Sequence, residues 1–248
     1  MKNILWCITG AGAYLRNIVE TIYSIKNSCG FKITICFSKW GFEVTRIYGL
    51  HSILSKIASG DYFEEWFVEE KGFYRIGRVF MKKYDLVIIA PASSNTIAKI
   101  VHGIADTLPT LVFSQAVKSN TPVVLFPSDT PGINGFICSE TPCYVDKNIC
   151  KCLYENKACV LEESCPVGAI IVYSKTVSID LEKCIGCGIC VDKCVYNAVK
   201  CWSRICIKPS FIDLKNIERL NDFKNVHVVR NINELVEKIT DLTGVCNG

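Results

Sequence analysis

Four cysteines crowd eleven residues in the run Cys184-Ile-Gly-Cys187-Gly-Ile-Cys190-Val-Asp-Lys-Cys194. The spacing, C-x2-C-x2-C-x3-C, limits what such a segment can become. Three thiolates this close, in a loop softened by two glycines, reach three irons of one cubane. In runs of this spacing the fourth cysteine ligates a different 4Fe–4S cluster. A remote ligand is therefore expected upstream, and Cys165-Pro166-Val-Gly-Ala-Ile supplies one. Such a chain moves electrons.

Sixteen cysteines in a small secreted chain would mean disulfides, but twelve of these sixteen lie between Cys138 and Cys206. The opening Met1–Ile8 is too short an apolar stretch for a signal peptide. It runs straight into Thr9-Gly-Ala-Gly, a strand-to-helix turn, and reads as a first strand. The expected location is cytoplasmic, where clustered cysteines favour metal ligation over disulfides. Zinc is the rival metal, since paired C-x2-C units also build four-cysteine sites, but the tight triplet fits a cubane better. Half the residues are apolar, yet no run reaches the ~18 residues needed to span a bilayer, so no membrane partner is expected. A formal charge of +4 without basic clusters gives no reason to expect nucleic acid.

The first 128 or so residues alternate apolar runs with helix-like segments. Strands are expected at Asn3–Ile8, Lys32–Phe37, Asp85–Ala90 and Pro122–Phe126, and helices at Tyr14–Lys26, Lys39–Tyr48 and Asn95–His102. Strands apolar throughout and separated by helices imply a Rossmann-like or flavodoxin-like α/β fold, a parallel sheet with helices on both faces. Such sheets bind ligands beyond the carboxyl ends of their strands, which directs attention to the loops after Ile8, Phe37, Ala90 and Phe126. From about Gly135 to Lys208 the chain becomes cysteine-dense and loses helical periodicity. Two phrases repeat there, Cys165-Pro-Val-Gly-Ala-Ile and Cys194-Val-Tyr-Asn-Ala-Val. Afterwards Ile212–Asn221, Val226–Val229 and Asn231–Leu242 read as helix, strand and helix. The expected organisation is an α/β domain over residues 1–134 and 209–248, with a small α+β iron–sulfur module, residues 135–208, inserted into it. A tail packed mainly on the cluster module is the alternative.

Thr9-Gly10-Ala11-Gly12 follows the first strand and opens a helix. Glycines there let the backbone approach a phosphate, and the helix start offers free N–H donors. The loop lacks the G-x-G-x-x-G pattern and an acidic ribose-binding residue, which argues against a nicotinamide dinucleotide. A tight turn serving only packing is the other reading. Ser38-Lys39, after the second strand, offers a hydroxyl and an ammonium to a phosphate; an N-cap and a solvated lysine would look the same. Ala90-Pro91-Ala92-Ser93-Ser94-Asn95-Thr96 sets short polar side chains at a strand end and helix start, where the edges of a planar ring need donors and acceptors.

That last segment resembles the Pro-Ala-Ser-x-Asn-Thr motif of the homo-oligomeric flavin-containing cysteine decarboxylase superfamily. Ile104-Ala-Asp-Thr-Leu108 and Pro122-Val-Val-Leu-Phe-Pro127 match the same superfamily. The resemblance covers about residues 1–128 and implies FMN, held at Pro91, Ala92, Ser93, Asn95 and Thr96, with Ser114-Gln115 as a further contact. It also implies a homo-oligomer with flavin at the junctions of trimers. The superfamily's decarboxylases use a histidine in an early helix; His51 falls in no matching motif, which argues against decarboxylation.

The cysteine segment resembles a bacterial-type ferredoxin module. In that pattern Cys165, Cys184, Cys187 and Cys190 hold one 4Fe–4S cluster, and Cys194, followed by Val195 rather than proline, is the remote ligand of a second. A first C-x2-C-x2-C triplet is missing. Cys143, Cys150, Cys152 and Cys159 stand in its place, and Cys150, Cys152 and Cys159 are the favoured set; a degenerate site beside one working cluster is the alternative. Cys7, Cys29, Cys36, Cys201 and Cys206 read as ordinary buried cysteines. Nearly the whole chain resembles the archaeal dihydromethanopterin reductases (acceptor). The resemblance implies single electrons taken from ferredoxin through the clusters to FMN, then hydride transfer reducing 7,8-dihydromethanopterin to tetrahydromethanopterin. Tyr14, Trp40, Phe42 and Tyr48 are candidate walls for the pterin. An electron-transfer flavoprotein without a substrate of its own shares every motif, and a flavin-dependent decarboxylase shares those of the first half.

Overall fold

Apolar runs of five to seven residues become the strands of one buried sheet. A computed structural model of the chain describes residues 1–69, 73–132, 134–151, 159–173 and 176–244. These divide into two units: Met1–Val44, His51–Cys138 and Cys206–Gly248 form the first, Thr45–Leu50 with Ser139–Ile205 the second.

In the first unit β1 (Asn3–Ile8), β2 (Lys32–Phe37), β3 (Trp66–Val68), β4 (Leu86–Ala92), β5 (Val123–Pro127) and β12 (Val226–Val228) pair in the order β12-β5-β4-β1-β2-β3. Every pairing is parallel. All of β4 and β5 is buried, as is all of β1 and β2 beyond the first residue, so both faces must be covered. Helix α1 (Leu15–Cys29) does so by turning Leu15, Ile18, Val19, Ile22 and Ile25 inward at helical spacing. It ends at Gly30, φ 67°, whose N–H bonds the Lys26 carbonyl. Helices α2 (Lys39–Ile47) and α3 (His51–Ile57) follow β2. The chain runs outward from β1 to β3, then returns to β4 on the other side of β1. The crevice above β1 and β4 is therefore the topological switch point of the sheet.

The sequence expectations omit α3, the short helices Phe73–Ile76 and Gly77–Phe80, and two further elements of this unit. The helix Leu108–Ser119 is opened by a reciprocal Thr107–Thr110 capping box. It buries Leu108, Val112, Phe113 and Ala116, but its apolar residues spread over too many positions to leave a readable polar stripe. Strand β3 is three residues long at the sheet edge, too short for period-two alternation.

The second unit is built from small antiparallel pairs. β7 (Tyr144–Val145) pairs with β10 (Val199–Lys200), and β8 (Ile170–Tyr173) with β9 (Thr176–Ile179). One-turn helices Val160–Ser164 and Ile189–Lys193 end at Cys165 and Cys194. Strands β6 (Ile137–Glu140) and β11 (Arg204–Ile207) pair where the chain enters and leaves this unit.

Close approach in the first unit fixes one glycine. A Cβ on Gly41 would sit 2.2 Å from the Ile8 carbonyl oxygen, so α2 meets the end of β1 backbone to backbone. Gly41→Ala is expected to destabilise the α/β unit by about 1–3 kcal/mol, the usual cost of overpacking, read as a lowered chemical-denaturation midpoint of its helical signal.

Candidate cofactor sites

Strands β5, β4, β1 and β2 are neighbours, so the loops after them line one edge of the sheet. Three strand spacings of about 4.8 Å make that edge about 14 Å long, suited to an extended nucleotide rather than a lone phosphate. Thr9 ties two of the loops together. Its hydroxyl donates to the Pro91 carbonyl at 2.7 Å and accepts from the Ser93 N–H at 2.8 Å; the Thr9 N–H reaches the same carbonyl at 3.3 Å. Trp6 Nε1 donates to the Ala90 carbonyl at 2.6 Å, and the Ala90–Pro91 peptide between them is cis. Thr9 is buried, so its role is to hold the loops in place.

Ser93 caps the helix Ser94–Val101. Its Oγ accepts from the Thr96 N–H and lies 3.0 Å from Thr96 Oγ1, while Asn95 is exposed at the open helix start. Pro91 and Ala92 are buried beneath. Ser38 Oγ likewise accepts from the Gly41 N–H at 3.0 Å, so this serine is an N-cap, and Lys39 is exposed beside it. Gly10 is exposed, and a Cβ there would fall 2.6 Å from Trp40 Cβ, so packing keeps position 10 free of a side chain. Tyr14, at φ 60°, donates its hydroxyl to the Thr130 carbonyl at 3.1 Å and packs on Phe126, bringing in the loop after β5. Thr130 Oγ1 is buried there without a partner. An exposed glycine at position 10, the exposed Asn95 on a serine-capped helix start and an orphaned hydroxyl along one edge fit a flavin nucleotide.

Other expected residues lie elsewhere. Ser114 lines a cavity with Ile100, Gly103, Thr110, Phe113 and Phe223, one that none of Thr9, Ser38 or Ser93 lines; Gln115 is half-buried on the same helix. The expectation that Tyr48 walls a substrate is overturned. It is buried, and its hydroxyl donates to the Glu140 carbonyl. Trp40 is largely exposed, and Phe42 packs against Phe37, Trp66 and His51. His51 Nε2 lies 3.3 Å from the Phe42 carbonyl.

In the second unit Cys165, Cys184, Cys187 and Cys190 line one apolar cavity together with Val167, Ile179, Ile185 and Ile189. Burial and the neighbouring Cys184 and Cys187 sulfurs push the Cys190 thiol up to about 11. Burial would also raise Cys165, but N–H groups of Val167, Ala169, Ile170 and Gly168 aimed at its sulfur outweigh it and hold the thiol below the usual range. Four sulfurs that repel as thiolates, with amide donors already directed at one of them, fit a bound iron cluster.

A second cavity is lined by Cys150, Cys159 and Cys194 with Val145, Leu161, Val177 and Val199. Cys152 lies outside the described residues. The two cavities are related by an internal repeat. Ala169 N–H reaches Cys165 Sγ at 3.2 Å, and Ala198 N–H reaches Cys194 Sγ at 3.3 Å. Each turn has a positive φ at its fourth residue, Gly168 at 60° and Asn197 at 51°. Upstream, Cys184 N–H bonds the Asp180 carbonyl and Cys150 N–H bonds the Asp146 carbonyl, each aspartate also capping its own turn. Cys150 thus stands where Cys184 stands. The pattern Asp-x3-Cys at both places is the sequence signal that would have revealed this.

Two further features of the cluster loop were not legible in the sequence. Arg46 donates to the carbonyls of Cys184 and Leu181, the latter at 2.9 Å. Gly186, φ +61°, packs so closely on the Ile47–Gly49 backbone that a Cβ would lie 2.3 Å from the Ile47 carbonyl oxygen. The reading of cysteines as metal ligands or buried thiols also needs correction at several positions. Cys138 bonds Cys206, which is exposed, and Cys143 bonds Cys201; Cys29 is half-buried and disulfide-bonded. Cys7 and Cys36 are buried free thiols, 2.8 Å apart on adjacent strands.

Comparison with known proteins matches two family models to this chain. Residues 1–135 match the flavoprotein family, and residues 177–200 match the 4Fe-4S binding domain. The chain is a flavoprotein carrying an iron–sulfur domain. It is 37% identical over 241 residues to the dihydromethanopterin reductase (acceptor) of Methanosarcina mazei, covering 95% of this chain and 98% of that one. The Methanocaldococcus jannaschii protein of the same name is 37% identical over 240 residues, covering 95% and 94%. The chain belongs to the dihydromethanopterin reductase (acceptor) family. The crystal structure of Burkholderia xenovorans DmrB in complex with FMN, described as a cubic protein cage for redox transfer, shares the fold with a TM-score of 0.61 at 22% identity over 98% of this chain and 96% of that one.

Gly186→Ala is expected to displace the Cys184–Cys187 loop and lower iron content by about half, one cubane of two, with flavin content unchanged by absorbance.

Proposed function

We propose that this chain is an iron–sulfur flavoprotein reductase that draws single electrons from a ferredoxin and reduces dihydromethanopterin to tetrahydromethanopterin. The observation that carries the reading is a likeness to two dihydromethanopterin reductases (acceptor) that spans the flavin edge and both cysteine sets together. When bound, the clusters pass single electrons, and FMN, the flavin named for the cage protein, supplies a hydride.

The chain's own residues do the rest. Thr9 holds the β1 and β4 loops in register; Gly10, Ala11, Gly12, Ser38 and Lys39 face the phosphate end. Pro91 and Ala92 form the floor, and Ser93, Asn95 and Thr96 meet the ring edge. Ser114 lines a separate cavity, so the contact assigned to it and Gln115 is made to the flavin of a neighbouring copy, in a homo-oligomer built from trimers. Cys165, Cys184, Cys187 and Cys190 hold one cluster; Cys194 with Cys150, Cys152 and Cys159 holds the other. Residues 1–134 and 209–248 act as the flavin domain and residues 135–208 as the electron-entry module. No helix among the described residues is long and apolar enough to cross a membrane, consistent with a cytoplasmic reaction.

The test is anaerobic mixing of reduced holoprotein with dihydromethanopterin. Flavin reoxidation with stoichiometric tetrahydromethanopterin is expected; cofactors that stay reduced until a protein acceptor is added would make the chain a carrier. Asn95→Ala is expected to weaken FMN binding about tenfold, roughly 1.4 kcal/mol, with iron content unchanged, as measured by flavin fluorescence on dilution.

A further inference from the structure

The Cys143–Cys201 disulfide is placed where a structural staple has no need to be. Thr141 N–H bonds the Ser203 carbonyl at 2.9 Å, Trp202 N–H bonds the Thr141 carbonyl at 3.0 Å, and Tyr144 pairs with Lys200. This ladder sets Cys143 opposite Cys201. It also turns them toward the cluster ligands. Cys143 lines the same cavity as Cys165, Cys184, Cys187 and Cys190, and it packs with Cys184 and Ala169 in one small core. The sulfurs of Cys143, Cys201 and Cys190 all lie within 4.8 Å of one another. By contrast, neither Cys138 nor Cys206 lines that cavity.

We propose that Cys143–Cys201 is a redox-active disulfide that exchanges electrons with the cluster held by Cys165, Cys184, Cys187 and Cys190; the inference rests on reading those four as cluster ligands. Proximity sets the route. Thiol–disulfide exchange needs a thiolate to reach a sulfur directly, and Cys143 is 3% exposed while Cys201 is half-buried. An electron crossing from an adjacent ligand sulfur needs no such approach. Reduction breaks the S–S bond, takes two electrons delivered singly by the cluster, and takes two protons from solvent to give two thiols. The cluster is reoxidised twice, and a one-electron donor of the ferredoxin class re-reduces it each time. Oxidation returns both electrons by the same route and remakes the bond. The pair thereby stores two electrons beside a cofactor that passes one, matching a one-electron supply to a two-electron hydride reaction.

The test is stepwise anaerobic photoreduction of the holoprotein with a deazaflavin. At each step the cluster signal is read by electron paramagnetic resonance, and thiols are trapped by acid quench and N-ethylmaleimide for peptide mass spectrometry. Label is expected on Cys143 and Cys201 together as the cluster signal develops, with Cys138–Cys206 still linked. The double variant Cys143→Ala/Cys201→Ala is expected to keep the cluster signal and take up two fewer electrons per chain. Three results would overturn the proposal: a pair still linked when the cluster is fully reduced, an unchanged electron count in the variant, or a holoprotein whose cysteines are intact but which carries no cluster signal. The last would also remove the ligand reading, whereas the first two would leave it standing.

Discussion

Sulfur is the core of the second unit, and the structure of that unit depends on how its charge is neutralised. One apolar cluster contains Cys150, Cys159 and Cys194 among Leu161, Ile170, Val177 and Val199; the other contains Cys143 and Cys184 around Ala169. The cysteines share these cores with a handful of aliphatic side chains. Burial and the neighbouring Cys184 and Cys187 sulfurs raise the Cys190 thiol, whereas backbone N–H groups lower Cys165. A bound cluster would displace the thiol protons and supply the opposing charge. The amide groups directed at Cys165 and Cys194 are the permanent part of that compensation.

The first unit solves a different problem with ordinary means. The central strands of its sheet are buried on both faces by apolar packing alone. The chain can therefore leave its strand-end loops bare, with Thr9 bracing them and an exposed helix start at Asn95. The larger unit offers strand-end loops along one edge, and the smaller one gathers cysteines around two apolar cavities. Together they join a carrier of single electrons to one that transfers a pair.

Much of this was legible in the sequence because the signals are local. Strands β1, β2, β4 and β5 are continuous apolar runs; Cys184–Cys194 carries its spacing on its face; the Cys165 and Cys194 phrases repeat. What stayed hidden has long sequence separation or weak periodicity. Arg46 and Gly49 are about 140 residues from the loop they support, and nothing near them refers to it. The helix Leu108–Ser119 is apolar on too many sides to show a stripe. The disulfides depend on cross-strand register, which spacing alone does not give: Cys143 and Cys201 are 58 residues apart, and Cys138 and Cys206 are 68. Tyr48 looked like a free aromatic because its partner, Glu140, comes from a distant strand.

Cofactor content distinguishes a flavoprotein with two cubanes from any other use of these cysteines. The direct measurement is iron, acid-labile sulfide and flavin per chain in protein purified without oxygen. About eight irons, about eight sulfides, two cubanes of four each, and about one FMN per chain are predicted. Stoichiometric zinc without sulfide, or iron–sulfur without flavin, would contradict it.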